Sequence, residues 1–227
     1  LRRHLHWWLN ALWPGRHANA PLGARRAVFL FLGYPLFLAL QLVHWAGFFC
    51  DELIFSKYRK VGFGTPLFIL GIPRSGTTFL HRSLAADRDR FTSVNTWEAL
   101  LAPSICERKV IRAIAALDQR LGAPAGKVCA WLLRRASGDF NEIHALDLNA
   151  AEEDYLCLLP AGGCFILLMA FPFAGELQRL GRFDTVQENE RDAMIDFYQR
   201  ALQRHLLCHP GKTLLSKNAA FASWAGP

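Results

Sequence analysis

Residues 67–84 constrain the fold more than any other part of the 227-residue chain. Residues 67–70 are a short apolar run without a polar face, which is typical of a strand buried on both sides in a parallel sheet. Gly71 ends the run. Three apolar residues then recur at helical spacing: Phe79, Leu80 and Leu84. The stretch therefore predicts a strand, a tight loop and a helix.

The loop between this strand and helix predicts an anion-binding site. The first backbone N–H groups of a helix are unpaired and lie at the positive end of the helix dipole. The hydroxyl groups of Ser75, Thr77 and Thr78 add further donors at the same place.

The loop departs from the phosphate loop of nucleotide triphosphatases, Gly-x-x-x-x-Gly-Lys-Ser/Thr, at one position. Gly71 and Gly76 keep the spacing, and Thr78 keeps the last hydroxyl. Thr77 stands where the lysine would be, and a cation occurs inside the loop instead, at Arg74. The loop is thus expected to hold a phosphate-like group without the lysine that reaches the β- and γ-phosphates. The alternative is an ordinary turn with a solvated arginine.

The sequence Gly71-Ile-Pro-Arg-Ser-Gly-Thr-Thr78 resembles the 5′-phosphosulfate loop of sulfotransferases that use 3′-phosphoadenosine 5′-phosphosulfate (PAPS). The Pro-Arg-Ser-Gly-Thr-Thr form is that of tyrosylprotein sulfotransferases and similar bacterial enzymes, whereas cytosolic sulfotransferases carry lysine at the position of Arg74. The resemblance extends over residues 50–221. It implies a P-loop-like three-layer α/β/α fold with a short parallel sheet and many helices. The implied cofactor-binding residues are Gly71, Pro73, Arg74, Ser75, Gly76, Thr77 and Thr78.

Two further strands are expected at residues 91–94 and 213–216, followed by Glu98 and Lys217. The carboxyl ends of parallel strands share the ligand edge of a sheet, so both side chains are expected near the loop. By the resemblance, Arg74 and Lys217 lie at the sulfonate and the leaving oxygen, and Glu98 is the general base for a hydroxyl acceptor. His144 is the alternative base, because cytosolic sulfotransferases use a histidine. The scheme requires no metal.

Residues 1–60 are expected to form a helical segment separate from a sulfotransferase-like domain at 61–227. Residues 27–50 contain no Asp, Glu, Lys or Arg, which is long enough to cross a bilayer. Gly33 and Pro35 interrupt the run. A membrane span, a pair of interfacial or lid helices, and a core helix all remain open. The protein is accordingly expected in the cytoplasm or on the cytoplasmic side of a membrane, with a single-pass membrane protein as the alternative.

The net charge of +7 suits an anionic cofactor or a membrane surface, and no motif indicates nucleic acid. The six cysteines show neither metal-ligand spacing nor a Cys-x-x-Cys pair, which predicts reduced thiols.

A P-loop nucleotide kinase and a non-catalytic membrane-associated interaction protein are the alternative functions. The first would require the missing lysine, and the second would leave the loop without a role.

Several local features predict further structure. Residues 152–154, all acidic, indicate a helix start or a part of the acceptor pocket. Thr185 and Glu188 match a capping box before a long helix in which His205 is expected at the boundary of the core.

The chain starts at Leu1, and residues 219–227 contain no arginine for the cofactor's 3′-phosphate. We therefore expect a fragment with weak PAPS binding and an exposed apolar edge on the 213–216 strand.

Overall fold

The computed structural model describes residues 1–13, 21–71, 75–124, 126–128, 131 and 148–218. Three residues with predicted roles lie outside these ranges: Pro73, Arg74 and His144.

The described chain is mostly helical. Its α-helices are α1 Arg2–Ala11, α2 Ala24–Val28, α3 Tyr34–Ile54, α4 Thr77–Ala85, α5 Thr96–Leu100, α6 Ile105–Arg120, α7 Leu167–Ala170, α8 Gly175–Arg179 and α9 Glu188–Cys208. A π-helical turn, Phe29–Gly33, joins α2 to α3. Short 3-10 helices lie at Ser56–Lys60, Asp154–Leu158 and Phe183–Thr185.

Three short strands form one parallel sheet: β1 Leu67–Ile69, β2 Phe91–Thr92 and β3 Thr213–Lys217. The order is β1-β3-β2, so the last strand in the chain lies in the centre. Ile69 is opposite Lys217, and Thr92 is opposite Leu214. The carboxyl ends of all three strands therefore point to the same edge, and the predicted α/β fold with a short parallel sheet is confirmed.

The sheet corrects two predictions about burial. The 213–216 strand is central and mostly buried instead of an exposed edge, because β1 pairs with residues 215–217 and β2 with residues 213–214 on its other side. The exposed strand is β1, which the apolar run had placed inside the sheet: Leu67 and Phe68 are 39% and 49% exposed, and only Ile69 is buried. An apolar run alone does not distinguish an edge strand from a central one.

The main hydrophobic core lies between α1, α3, residues 156–186 and α9. Trp7 of α1 and Tyr34 of α3 are both buried, and Tyr34 packs edge-on against Phe171 at 4.8 Å between ring centroids. Cys164 and Leu167 are buried in the same cluster. Residues 162–171 therefore contribute mainly to the core.

The predicted long helix is α9, and it packs on this core with Met194, Ala201 and Leu202 buried. Its start was predicted wrongly. The helix begins at Glu188 with Gln187 as the N-cap residue. The Thr185 hydroxyl instead donates to the carbonyl of Arg182 at 2.7 Å, inside a preceding 3-10 turn.

A buried ion pair joins α3 to α6 and α9. The carboxylate of Asp51 accepts hydrogen bonds from the backbone N–H groups of Ile105 and Cys106, both at 2.9 Å, and so caps α6. The same carboxylate accepts a bond from Nε of Arg204 on α9 at 3.0 Å. Two turns earlier in α3, Nδ1 of His44 lies 2.6 Å from Oε1 of Glu107. The apolar helix is thus attached to the body of the protein by charged groups.

Residues Ala24–Ile54 form a run of helix with the length and hydropathy of a membrane span. It is the one such run in the part of the chain that the structure describes, and 22% of its most apolar window is buried. Its inner face packs on the body of the protein, and its outer face is exposed and apolar.

Candidate active site

The two glycines of the predicted loop have the roles that the motif requires. Gly76 precedes α4 with φ of +81°, in the left-handed region that favours glycine. A Cβ atom on Gly71 would lie 2.7 Å from Cγ2 of Thr77 and 3.0 Å from Oγ of Ser75. The end of β1 and the start of α4 therefore approach each other closely, and the N-terminal N–H groups of α4 lie at the carboxyl edge of the sheet.

Lys217 lies at this edge, as predicted. It is the last residue of β3, and its side chain is almost fully buried. The ammonium group donates to Oγ1 of Thr78, in the first turn of α4, at 3.2 Å. A buried cation therefore lies beside the start of the helix that was predicted to hold an anion.

The acidic residues 152–154 contribute a carboxylate to the same place. Oε1 of Glu153 accepts a hydrogen bond from the Lys217 ammonium. The preceding Glu152 donates its backbone N–H to the carbonyl of Val94 at 2.9 Å, and its carboxylate accepts from the Thr96 hydroxyl at 3.3 Å. These bonds fix residues 151–153 against the chain that follows β2. Sequence reasoning treated the acidic residues chiefly as a helix start and did not identify Glu153 as the partner of Lys217.

Glu98 lies in the first turn of α5, but its carboxylate faces α6 and α9. The side chain is fully buried and closes a capping box with Asn95. Its oxygens lie 3.2 Å from Nδ1 of His205 and 3.3 Å from Nε2 of His209. Two guanidinium groups are also close, those of Arg108 at 3.8 Å and Arg112 at 3.5 Å.

These neighbours determine the charge of Glu98. Burial alone would raise the pKa of its carboxyl, but the bonds to His205 and His209 and the charge of Arg108 hold that pKa well below its usual range. Burial lowers the pKa of His205 to about 4, so this imidazole is neutral at pH 7. Nε2 of His205 lies 2.8 Å from Oγ1 of Thr92, which places the histidine inside the core and corrects its predicted boundary position. A carboxylate held ionised in this way is a weak proton acceptor.

Ligand atoms of Glu98, His205 and His209 all lie within 4.8 Å of one another, as in a metal site. The guanidinium groups of Arg108 and Arg112 already neutralise this carboxylate, and their positive charge opposes a metal ion at the same point. The donor set therefore suits a buried ion-pair cluster better than a metal centre.

A third histidine lies near Lys217. Nε2 of His81, on α4, is 3.1 Å from Oγ of Ser93. The single Ser93 hydroxyl proton goes to the carbonyl of Leu215 at 2.8 Å, so His81 is the donor. Burial and then the charge of Lys217 lower the pKa of His81 to about 4. The neutral ring connects α4 to β2 and β3 without adding charge near Lys217.

The fold is that of a mostly helical α/β protein in which Lys217 and the start of α4 lie at the carboxyl edge of a short parallel sheet. Comparison with known proteins shows two similarities to one class of enzyme. Residues 66–160 match the profile described as the sulfotransferase family, and this match contains the loop, Glu98 and Glu153.

The fold is also similar to that of a crystal structure of a sulfotransferase from Mycobacterium tuberculosis H37Rv, with a TM-score of 0.59 and 20% sequence identity. The match covers 97% of this chain and 55% of that chain, so this chain spans about half the length of its structural neighbour. No curated protein matches the sequence. Residues 66–160 are thus similar in sequence to sulfotransferases, and the described chain is similar in fold to one of them.

Proposed function

We propose that the protein transfers a sulfuryl group from PAPS to a hydroxyl group of an acceptor. The observation that supports this most is the position of the Lys217 ammonium, 3.2 Å from the Thr78 hydroxyl at the start of α4. Sulfuryl transfer, like phosphoryl transfer, depends mainly on positioning and on neutralising charge on the bridging and leaving oxygens. The helix start can position the donor, and the buried cation beside it can neutralise the charge on the oxygens.

In this proposal the N-terminal N–H groups of α4 and the hydroxyls of Ser75, Thr77 and Thr78 hold the 5′-phosphate. Arg74 and Lys217 interact with the sulfonate and the leaving oxygen. Because PAPS is anionic, it competes with Glu153 for the Lys217 ammonium.

The acceptor hydroxyl must lose a proton during the transfer. Glu98 and His144 are the bases that the resemblance implies, and Glu153 is a third candidate at the edge of the sheet. Displaced from Lys217 by the sulfonate, the Glu153 carboxylate becomes free to accept this proton. Glu98 lacks such freedom, since both of its oxygens contact charged or polar side chains. We therefore favour Glu153 as the base.

The proposal is tested by calorimetric titration of the protein, at its full natural length, with 3′-phosphoadenosine 5′-phosphate and with ATP and Mg²⁺. Tight binding of the first ligand alone is expected. A second assay then measures the transfer of radiolabelled sulfuryl from PAPS to a panel of carbohydrate, lipid, steroid and peptide hydroxyls, and transfer to at least one of them is expected. Binding of ATP alone would favour a nucleotide kinase. Binding of neither nucleotide would favour a non-catalytic interaction protein.

A further inference from the structure

The outer face of the helical run Ala24–Ile54 is a continuous apolar surface that no described part of the chain covers. We call it the α3 face. Leu36 is 65% exposed near its start, and Leu53 is 70% exposed at its end. Its large apolar side chains, all exposed, are Val28, Phe29, Phe31, Leu32, Leu36, Leu42, Val43, Phe49, Leu53 and Ile54. Single apolar residues on a surface need no explanation, but a strip of this size indicates an interaction site.

The helix contacts the protein body along its whole length, which excludes a free membrane span. Tyr34 bonds to His4 near the start, His44 pairs with Glu107 in the middle, and Asp51 pairs with Arg204 at the end. A span needs about 20 residues surrounded by lipid. Here the charged body of the protein would have to enter the bilayer with the helix. The α3 face can meet lipid only if the helix lies flat on the membrane.

Basic side chains flank the α3 face at both ends. Arg25 is exposed at its start, and Lys57 and Lys60 are exposed just beyond its end. Apolar side chains between exposed cations are the arrangement that a helix lying at an anionic membrane surface requires.

A cavity of about 520 Å³ opens at the end of the α3 face, beside Ile54 and Phe55. Four cationic side chains line it: Lys57, Arg108, Lys109 and Arg112. None of its described lining residues is acidic, although the buried Glu98 behind Arg108 and Arg112 offsets part of the charge. Lys57 and Lys109 have no acid near them in the described contacts. The cavity thus combines apolar walls with excess positive charge, which suits the phosphate group of a lipid.

We propose that the α3 face docks the protein flat on the surface of an anionic bilayer, with a phospholipid headgroup in the cavity lined by Lys57 and Lys109. This inference does not depend on the sulfotransferase activity. It rests on the exposure of the α3 face, on its contacts with the body and on the distribution of cations around it.

The test is flotation of the protein with vesicles of pure phosphatidylcholine and of phosphatidylcholine with phosphatidylglycerol. Stronger binding to the anionic vesicles is expected, with full release by an alkaline carbonate wash. L36E and L53E, at the two ends of the face, should each weaken binding at least tenfold. F79E places the same charge at an 80%-exposed residue on α4 and should leave binding unchanged.

The cavity is tested by charge removal. Because each basic residue near the surface contributes about fivefold to binding of anionic membranes, K57Q with K109Q should lower affinity for anionic vesicles about 25-fold. R179Q with R182Q removes the same charge at exposed positions, at the end of α8 and in the turn that follows it, and should have a much smaller effect.

Three results would overturn the proposal. Retention after the carbonate wash would show a spanning helix. Unchanged vesicle binding by both L36E and L53E would show that another surface contacts the lipid. Absence of vesicle binding by a protein that sediments as a dimer, and as a monomer when L36E is introduced, would assign the face to a second copy of the chain.

Discussion

The ammonium of Lys217 and the hydroxyl of Thr78 are 3.2 Å apart, although 139 residues separate them in the chain. The contact joins the end of the central strand to the first turn of the loop helix. The charge of Lys217 therefore lies at the start of the loop helix.

Replacing Lys217 should abolish most of the catalysis. Lys217→Ala is expected to lower turnover at least about 100-fold, the scale for losing one preorganised contact to the transition state. Lys212→Ala removes the same charge just before β3, at the opposite edge of the sheet, and is the matched control. Transfer of radiolabelled sulfuryl from PAPS measures both. A Lys217→Ala enzyme with the rate of the control would show that this edge is not the reaction site.

The loop cation Arg74 is expected to act together with Lys217. Arg74→Ala should lower turnover by at least about 100-fold. Arg74→Lys should retain part of the activity, since it keeps a positive charge at the position where cytosolic sulfotransferases carry lysine. The same assay applies, and equal rates for the natural protein and Arg74→Ala would contradict the assignment of the loop.

The general base is identified by separating loss of rate from loss of stability. Glu153→Gln should lower turnover by about 10² to 10⁴. It should destabilise the fold less than Glu98→Gln does, because the partly exposed amide oxygen that it introduces can still accept a hydrogen bond from Lys217. Glu98→Gln should instead destabilise the fold by about 3–5 kcal/mol, because it leaves the buried Arg108 without its partner. Turnover and denaturant unfolding are measured on both variants and on His144→Ala.

Two other results would assign the general base to a different residue. An inactive Glu98→Gln enzyme of normal stability would return the role to Glu98. An inactive His144→Ala enzyme, with Glu153→Gln active, would assign the role to His144.

Stability should fall as the pH drops from about 6.5 to 4, partly because of His81. Its pKa in the folded protein, about 4, is below the ordinary value of 6.5, so acid protonates the unfolded state first. The stability from this residue is complete above pH 6.5 and is lost as the pH falls through 4. The slope contributed by one such group is at most about 1.4 kcal/mol per pH unit. His81→Gln removes this group, so its free energy of unfolding should fall less steeply between pH 6.5 and 4 than that of the natural protein. The control His6→Gln, at an exposed site, should keep the slope of the natural protein.

Breaking the ion pair between Asp51 and Arg204 should destabilise the protein strongly. Asp51→Ala removes the acceptor of two N-terminal N–H groups of α6 and the buried partner of Arg204, which keeps only the partly exposed Glu52 as a charged partner, at a cost of about 3 kcal/mol. Asp196→Ala breaks a surface pair with Arg200 and should cost less than about 1 kcal/mol. Urea unfolding compares the two variants, and equal costs would contradict the structural role of the buried pair.

Local patterns predicted the strand, loop and helix at residues 67–84, because glycine spacing and hydroxyl positions act within a few residues. The placement of Lys217 was also predictable, since parallel strands bring their carboxyl ends to one edge. The pairing of Glu153 with Lys217 was not, because three successive acidic residues equally suit a helix start.

The surroundings of Glu98 show why the rest of the site could not be predicted. Its neighbours come from α6 and α9, and His205 is 107 positions away in the sequence. Only the packing of these helices reveals that the carboxylate faces two arginines rather than the loop. Likewise, the order of the strands decides that β1, and not β3, is the exposed strand.

The guanidinium of Arg204 lies 4.8 Å from the ring centroid of Phe48 and 4.2 Å from that of Tyr58 while it pairs with Asp51. This arrangement couples the melting of the apolar helix to that of the body. The two should unfold in a single cooperative transition, and limited proteolysis between residues 61 and 66 should not yield two independently stable pieces. The helix therefore cannot be trimmed or exchanged as a detachable anchor, and any homologue that lost it would also have to replace Arg204.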